Sequence, residues 1–294
     1  MNSIGINIGS SSVKLTLVDD AKILWKKVLD HDGHFIDTLK KYRAFEDNFI
    51  SPDLDSEFKD NLKGIEKYFI IGYTEGINRE LGIIPGNYEF RMDKHKMLAH
   101  LGAKYNNYYF GAASILKLLK YYNLKENIAV LSGNVTAKLF PAAFSEHVEA
   151  ACSEQNIPKE MAYAVMKAES TFNNKAMSSA GAVGLMQLMP ATAKDIAKGL
   201  KIKNFDLKEP AISITFGVKY LAWLNKFFKG DFEAMMAGYN AGAGNVKKWM
   251  RDSSNIDDDY LIEFIPFEET RAYILRTRKF FIQYRIIYGS SNFK

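Results

Sequence analysis

The chain has 294 residues, of which 47% are hydrophobic and 25% charged, so it is neither a disordered nor a fibrous protein and holds one large domain or two modest ones. The formal net charge of +5 suits an anionic polymer but identifies no class of partner by itself. The single cysteine, Cys152, excludes an intrachain disulfide and a cysteine metal cluster. No run of about eighteen apolar residues occurs, so no transmembrane helix is predicted.

The N-terminal segment begins with a strand pattern. Residues 5–18 contain two β-rich runs joined by a Gly-Ser-Ser-Ser turn, and residues 22–29 would supply a third strand. Residues 36–42 have helical spacing. Residues 1–20 lack the basic start, continuous apolar stretch and cleavage site of a secretory signal. The sequence therefore predicts a structured start and offers no export signal.

The middle of the chain gives weaker patterns. Residues 45–96 are rich in Asp, Asn and Gly and are expected to be irregular, with short apolar runs such as residues 68–73. Between residues 108 and 122, Ala112, Ile115 and Leu118 fall at helical spacing and predict an amphipathic helix that leads into the next domain.

From about residue 140 the sequence is a succession of helical patterns separated by short turns. Pro158, Pro190 and Pro210 stand where the first turn of a helix tolerates a missing amide donor. The predicted helices cover residues 143–155, 158–170, 190–199, 210–228, 231–241, 243–250 and 268–288. The predicted fold is therefore α+β overall, with a region at 1–125, a helical linker to about 139, and an all-α domain at 140–294.

Glu169 is the candidate catalytic acid. It follows a stripe of Met161, Val165 and Ala168 at the C-terminal end of a predicted helix. Apolar surroundings and the negative end of the helix dipole both favour the neutral carboxyl group, so its pKa is expected to be raised. A raised pKa suits a general acid that works near neutral pH. Taken alone, a Glu at a helix end is more often a solvated surface group.

Three downstream segments change that interpretation. A stretch of small residues from Ser178 to Gln187 lets a backbone approach a ligand closely. The segments Tyr-Asn-Ala-Gly at 239–242 and Glu-Thr-Arg-Ala-Tyr at 269–273 follow. With Glu169-Ser170, these segments resemble the soluble lytic transglycosylase family, which is related to goose-type lysozyme. The resemblance covers about residues 140–288.

The resemblance implies a role for each matching residue. Glu169 matches the family's sole catalytic carboxylate, which protonates the bond between N-acetylmuramic acid and N-acetylglucosamine and then removes a proton from the C6 hydroxyl to form a 1,6-anhydro sugar. The substrate's N-acetyl group stands in for a second carboxylate. The implied partner is peptidoglycan, with no nucleic acid, and no metal or organic cofactor is implied. The substrate-binding positions that match are Ser178, Gln187, Tyr239, Glu269 and Tyr273.

Structural alternatives remain open at several of these positions. Ser178 would cap a turn, Gln187 would satisfy a buried backbone group, and Tyr273 would pack within a helix bundle. Tyr220, Trp223 and Phe227 are expected to be core residues, although aromatic faces also suit pyranose rings.

Residues 5–14 resemble the first phosphate-binding hairpin of the actin-like ATPase superfamily and, with the sequence to about Leu39, the activators of acyl-CoA dehydratases. Gly and Ser in such a turn expose amide donors to a phosphate. Asn7 stands where that family has an acidic residue for the metal. The resemblance implies a partial actin-like, ribonuclease H-like α/β region, whereas a plain β-hairpin explains the same residues.

Three functions are compatible with these patterns. The first is a peptidoglycan lytic transglycosylase, the second a muramidase that uses water, and the third a nucleotide-binding regulatory protein whose helical half only binds glycan. The substrate of the first two lies outside the cytoplasmic membrane, so a location in the cell envelope or periplasm is expected.

Overall fold

A computed structural model describes the chain at residues 3–8, 12–19, 22–30, 37, 40–41, 43–45, 65–71, 74–83, 88–124, 131–252 and 261–289. The chain divides into two compact units, Met1–Pro141 and Ala142–Lys294. No helix among these described residues is both long and apolar enough to cross a bilayer.

The first unit begins with a three-stranded antiparallel sheet. Strands β1 (Ser3–Ile8), β2 (Ser12–Asp19) and β3 (Lys22–Asp30) pair in the order β1-β2-β3. The register of β2 and β3 shifts between Leu17 and Val18. The three strands predicted from the sequence are confirmed, whereas the turn at residues 9–11 lies outside the described residues.

The rest of the described first unit is helical. Its labelled helices are α1 (Thr74–Ile83), α2 (Tyr88–Lys104), α3 (Tyr108–Tyr121) and α4 (Gly133–Leu139), and residues 65–70 form a further helical segment. The helix predicted at 108–122 is confirmed. For the helix predicted at 36–42, residues 37, 40 and 41 are helical and the others lie outside the described residues.

The prediction of an irregular segment at residues 45–96 is wrong, because residues 65–70, α1 and the first half of α2 are helical. The periodicity was hidden by polar residues on the buried face: His95 and Lys96 of α2 are only 7% and 9% exposed. A buried cluster from these helices forms a core. Its members are Ile65, Phe69, Ile77, Leu98, Leu101 and Phe110.

The partial actin-like α/β region is not supported. Such a fold needs a crossover helix followed by a parallel strand, because parallel strands cannot be joined by a hairpin. The strands among the described residues are all antiparallel, and the described chain from residue 65 onward continues as helices with only isolated bridges.

The second unit is helical, and each of its predicted helices begins and ends within two residues of the observed bounds. The short helix α11 was not predicted. The helices are α5 (Ser145–Gln155), α6 (Lys159–Ser170), α7 (Pro190–Gly199), α8 (Pro210–Phe227), α9 (Phe232–Ala241), α10 (Ala243–Asp252), α11 (Leu261–Phe264) and α12 (Glu268–Tyr288).

Helix α6 is the centre of this unit. Its residues Met161–Lys167 are all buried, and it packs along α12, where the rings of Tyr163 and Tyr284 stack 5.2 Å apart. Helix α9 also packs against α12, and α5 packs against α8. The helix that carries Glu169 is thereby held against the helix that carries Glu269 and Tyr273.

Candidate active site

Glu169 lies in the last turn of α6. The helix ends at Ser170 because Thr171 adopts a left-handed conformation with φ of 48°. The Ser170 hydroxyl donates to the carbonyl of Leu185 at 2.8 Å, and it also lies 3.2 Å from the Met166 carbonyl. The end of α6 is therefore fixed to the turn that contains Gly184 and Gln187.

Burial raises the pKa of the Glu169 carboxyl to about 7. Removal of the carboxylate from water is the largest cause, as the sequence predicts. The Tyr273 hydroxyl and the Arg276 guanidinium lower the pKa, and the negative charge of Glu269 raises it. Near neutral pH, protonated and ionised forms coexist, so this one group can give a proton and take one back.

Helix α12 supplies three of the groups around Glu169. Glu269, Tyr273 and Arg276 are spaced by four and three residues and so share one face of the helix. Glu269 and Arg276 are exposed, whereas Tyr273 is only 1% exposed. The Arg276 guanidinium lies 5.5 Å from the centre of the Tyr273 ring. Sequence reasoning missed Arg276, although its spacing from Tyr273 would have indicated it.

The Tyr273 hydroxyl points at Glu169 without completing a hydrogen bond. It is buried and has no partner of normal geometry among the described residues. It nevertheless lies close enough to act as a donor that lowers the pKa of Glu169, and burial followed by the charge of Glu169 raises its own pKa well above the ordinary value. A buried hydroxyl without a full hydrogen-bond partner destabilises the folded state, so the placement of Tyr273 beside Glu169 indicates a functional role.

Tyr239 connects the acid to the small-residue turn. Its hydroxyl donates to the carbonyl of Met186 at 2.8 Å. Burial and then the charge of Glu169 raise the pKa of Tyr239 well above its ordinary value. In the same segment, Asn240 Oδ1 accepts a hydrogen bond of 2.7 Å from the Thr270 hydroxyl. The Tyr-Asn-Ala-Gly and Glu-Thr-Arg-Ala-Tyr segments are thus joined.

The turn around Gly184 is built from backbone hydrogen bonds. Gly184 has a φ of +82°, and a Cβ on it would lie 2.0 Å from the Leu207 carbonyl oxygen, so the position requires glycine. Gln187 Nε2 donates to the carbonyls of Gly184 at 2.9 Å and Ala176 at 3.2 Å. The amide of Gln187 therefore has the backbone role that the sequence left open.

Ser178 lies in an exposed turn. Its hydroxyl accepts a hydrogen bond of 3.0 Å from the Ala182 amide, and its own amide donates to the Ala182 carbonyl at 2.9 Å. No hydrogen bond or electrostatic contact described for Ser178 or Gln187 reaches Glu169. The described contacts bring together Glu169, Tyr239, Glu269 and Tyr273, whereas Ser178 and Gln187 belong to the adjoining turn.

An aromatic strip extends from Tyr239 along α8. We use this name for Tyr220, Trp223 and Phe227, whose rings stack at 5.8 Å between the first two and 5.1 Å between the last two. The Tyr220 ring lies 5.3 Å from the ring of Tyr239. Trp223 and Phe227 are 48% and 41% exposed, so the expectation that they belong to the core is wrong.

The described residues contain no group of three or more His, Cys, Asp and Glu side chains that could hold a metal ion.

Comparisons with known proteins show similarity to lytic transglycosylases in part of the chain. Residues 146–262 match the model of the Transglycosylase SLT domain. The soluble lytic murein transglycosylase of Escherichia coli K12 is 35% identical over 155 residues, which are 51% of this chain and 24% of that protein. The membrane-bound lytic murein transglycosylase C of Histophilus somni 2336 is 32% identical over 170 residues, which are 49% of this chain and 47% of that protein. The chain therefore spans between about a quarter and half of these relatives.

Solved structures share the fold. The lytic transglycosylase Slt of Pseudomonas aeruginosa, solved as an inactive mutant, superposes with a TM-score of 0.63 at 24% identity over 87% of this chain and 38% of that one. The 70 kDa soluble lytic transglycosylase of Escherichia coli superposes with a TM-score of 0.66 at 24% identity over 80% of this chain and 37% of that one. Since Ala142–Lys294 is about half of the chain, these matches extend into the Met1–Pro141 unit.

Proposed function

We propose that the chain is a peptidoglycan lytic transglycosylase, which cleaves the β-1,4 bond between N-acetylmuramic acid and N-acetylglucosamine and leaves a 1,6-anhydromuramic acid end. The observation that carries the proposal is the half-buried Glu169, whose pKa is about 7, beside the hydroxyls of Tyr239 and Tyr273. The similarity of residues 146–262 to the Transglycosylase SLT domain and to murein transglycosylases supports it.

In the first step, protonated Glu169 donates its proton to the glycosidic oxygen. The C1–O bond of the muramic acid breaks, and the N-acetylglucosamine side leaves as an alcohol. Positive charge develops at the anomeric carbon, where the carbonyl oxygen of the substrate's own acetamido group donates an electron pair. Glu169 is left as a carboxylate. The Tyr273 hydroxyl and the Arg276 guanidinium favour that charge.

In the second step, the Glu169 carboxylate takes the proton of the muramic acid C6 hydroxyl. The oxygen of that hydroxyl bonds to the anomeric carbon, the acetamido group is released, and Glu169 is protonated again. Glu269 has an electrostatic role, because its negative charge raises the pKa of Glu169 and favours the return of the proton. No second carboxylate is needed as a nucleophile.

In this proposal the other residues line the glycan site. Tyr239 and Tyr273 act from beside Glu169, since the Tyr239 hydroxyl donates to the Met186 carbonyl and Tyr273 is only 1% exposed. The exposed Glu269 borders the reacting sugar. Ser178 and Gln187 lie in the turn that is fixed to the end of α6, where their side chains would approach the acetamido group and the glycan. Because peptidoglycan lies outside the cytoplasmic membrane, the proposal includes a location in the cell envelope.

Digestion of purified sacculi tests the proposal. Fragments released by the wild-type chain are analysed by mass spectrometry, and we expect 1,6-anhydro ends that Glu169→Gln no longer produces. Glu263→Gln, which removes an exposed carboxylate from the same unit, is the matched control and should leave the products unchanged. Reducing ends would indicate a hydrolytic muramidase instead. Intact sacculi with the wild-type chain would overturn the proposal.

A further inference from the structure

The aromatic strip on α8 is an exposed apolar surface that the two cleavage steps do not use. Its members Tyr220, Trp223 and Phe227 are spaced by three and four residues, so they lie on one face of the helix. Trp223 and Phe227 are 48% and 41% exposed. Single exposed apolar side chains are ordinary, whereas contiguous ones mark a surface that binds something. The strip is therefore a candidate binding surface.

The three rings are aligned along the helix. The ring planes of Tyr220 and Trp223 are inclined by only 7°, and those of Trp223 and Phe227 by 26°. The centroids are 5.8 Å and 5.1 Å apart, which is comparable with the length of one sugar in a β-1,4-linked glycan. The C–H groups on the apolar face of a pyranose ring pack well against aromatic rings. A row of rings with this spacing suits successive sugars of one strand.

The strip begins at the site of the proposed cleavage. The Tyr220 ring lies 5.3 Å from the Tyr239 ring, and the Tyr220 hydroxyl donates to the Gly238 carbonyl at 3.4 Å. Tyr239 is close enough to Glu169 for the charge of that carboxylate to raise its pKa, after the larger effect of burial. From Tyr239 the strip leads towards the C-terminal end of α8. A strand held at Glu169 that continues in this direction crosses the exposed rings.

The shape of this surface favours a glycan strand over a protein partner. The strip is one helix face wide, with the exposed Lys226 close to it in the sequence, whereas a stable protein interface covers about 800 Å² on each partner. Beyond Phe227 the surface continues into a cavity of about 570 Å³, whose lining includes Lys229, Asp231 and Lys247. Charged groups of both signs offer donors and acceptors for sugar hydroxyls and amides.

We propose that the aromatic strip is an extended subsite of the proposed active site, where sugars remote from the cleaved bond pack on Trp223 and Phe227. This inference rests on the proposed cleavage of peptidoglycan and adds a substrate class to it, namely strands long enough to reach these rings. The strip contributes affinity for the strand and takes no part in the proton transfers at Glu169.

Calorimetric titration with the β-1,4-linked hexasaccharide of N-acetylglucosamine tests the subsite. The full chain carrying Glu169→Gln is used, so that binding is measured without cleavage. In this background Trp223→Ala should weaken binding about fivefold, because it removes one stacking surface. Trp223→Phe retains a ring and should stay within about twofold. Ile286→Ala, at a 42% exposed position near the end of α12, is the matched control and should also stay within about twofold.

Three results of this titration would overturn the subsite. The first is a hexasaccharide that does not bind, and the second is an affinity that Trp223→Ala leaves unchanged. The third is equal weakening by Trp223→Ala and Ile286→Ala, which would show a general effect of losing an exposed apolar side chain. Sedimentation of the same variants adds a fourth: a dimer that Trp223→Ala abolishes would assign the strip to a second copy of the chain.

Tryptophan fluorescence gives a measurement that does not depend on the alanine variant. The emission of the Glu169→Gln chain minus that of the same chain with Trp223→Phe isolates the signal of Trp223. This emission should shift to shorter wavelength at saturating hexasaccharide, because a sugar on the ring excludes water. An unchanged difference spectrum would overturn the contact.

The subsite and the proposed cleavage fail in different ways. Sacculi that stay intact with the wild-type chain, together with hexasaccharide binding that depends on Trp223, would overturn the cleavage and retain the subsite. Release of 1,6-anhydro ends, together with binding that does not depend on Trp223, would overturn the subsite alone.

Discussion

The described part of each unit contains a titratable group whose pKa is shifted by burial, and the two pKa values move in opposite directions. In Ala142–Lys294, burial raises the pKa of Glu169 to about 7. In Met1–Pro141, burial lowers the pKa of His95 to about 4. Desolvation favours the neutral form of both, so an acid gains affinity for its proton and a base loses it.

The surroundings of the two groups explain why only one of them suits acid–base catalysis. Glu169 has charged neighbours of both signs. Arg276 lowers its pKa and Glu269 raises it, so the pKa stays near neutral pH. His95 has only cationic charged neighbours among the causes of its shift, namely Lys117 and Lys94, and stays unprotonated. A group that changes its charge easily near neutral pH suits proton transfer, whereas a group that stays neutral there does not.

The largest effect is expected from Glu169→Gln, which retains the shape of the side chain but cannot donate the carboxyl proton. We expect the rate of sacculus cleavage to fall by about a thousandfold, within the range of a lost general acid and base. The wild-type rate should also fall as the pH rises above about 7, since the carboxyl is then ionised. Initial rates with dye-labelled sacculi measure both, with Glu263→Gln as the control. A variant that retains more than about a tenth of the rate would remove Glu169 from the chemistry.

The helices around Glu169 could be predicted because proline marks their starts and turn residues mark their ends. Helices α7 and α12 have the predicted bounds, and α6 ends at Ser170 as predicted. The raised pKa of Glu169 also followed from its apolar neighbours. These features depend on residues near one another in the chain, so a local pattern is sufficient to predict them.

Contacts between distant segments could not be predicted in the same way. Helix α2 was missed because its buried face includes His95 and Lys96, which look like surface residues in the sequence. Helix α8 is apolar on more than one face, so spacing alone could not tell that Trp223 is exposed. The bond from Tyr239 to Met186 depends on packing between segments more than 50 residues apart, and the structure was needed to find it.

The acid sensitivity of the first unit should depend on His95. An unfolded chain takes up a proton on this residue as the pH falls through about 6.5, whereas the folded unit resists protonation until about pH 4. Its contribution to stability is therefore present above pH 6.5 and is lost as the pH falls, by on the order of 3 kcal/mol. The groups that act on it are Lys94 and Lys117, with the Tyr121 ring in contact. A glutamine side chain does not titrate, so the stability of the first unit should depend less on pH in His95→Gln than in the wild-type chain.

Peptide-resolved hydrogen exchange, corrected for the intrinsic effect of pH, measures the stability of α2 and α3 separately from the second unit. An equal loss of protection between pH 7 and pH 4 in the wild-type chain and in His95→Gln would contradict the assignment.

The second unit should show the opposite dependence. The unfolded Glu169 loses its proton near pH 4.5, whereas the folded residue retains it until about pH 7. The contribution of Glu169 to the free energy of unfolding is complete below pH 4.5 and is lost as the pH rises through 7. The loss is at most about 3 kcal/mol and is smaller because water reaches the half-buried carboxyl. Glu169→Gln should therefore stabilise α6 and α12 at pH 8 but not at pH 4. Protection of these helices from hydrogen exchange measures the effect, and equal protection of both chains at pH 8 would contradict it.

The smallest effect is expected at Trp223, the most exposed ring of the aromatic strip. If the strip carries glycan away from Tyr239, Trp223→Ala removes a stacking surface worth on the order of 1 kcal/mol and raises KM roughly fivefold on long glycan strands while kcat is retained. Stability should change little because the ring is 48% exposed. Leu275→Ala, at a 55% exposed position on α12, is the matched control for the loss of an exposed apolar side chain. Steady-state kinetics on strands of graded length measure whether Trp223 binds glycan. A KM that is unchanged on long strands would show that the strip takes no part in binding. An equal rise in KM for both variants would show that the loss of any exposed apolar side chain has this effect.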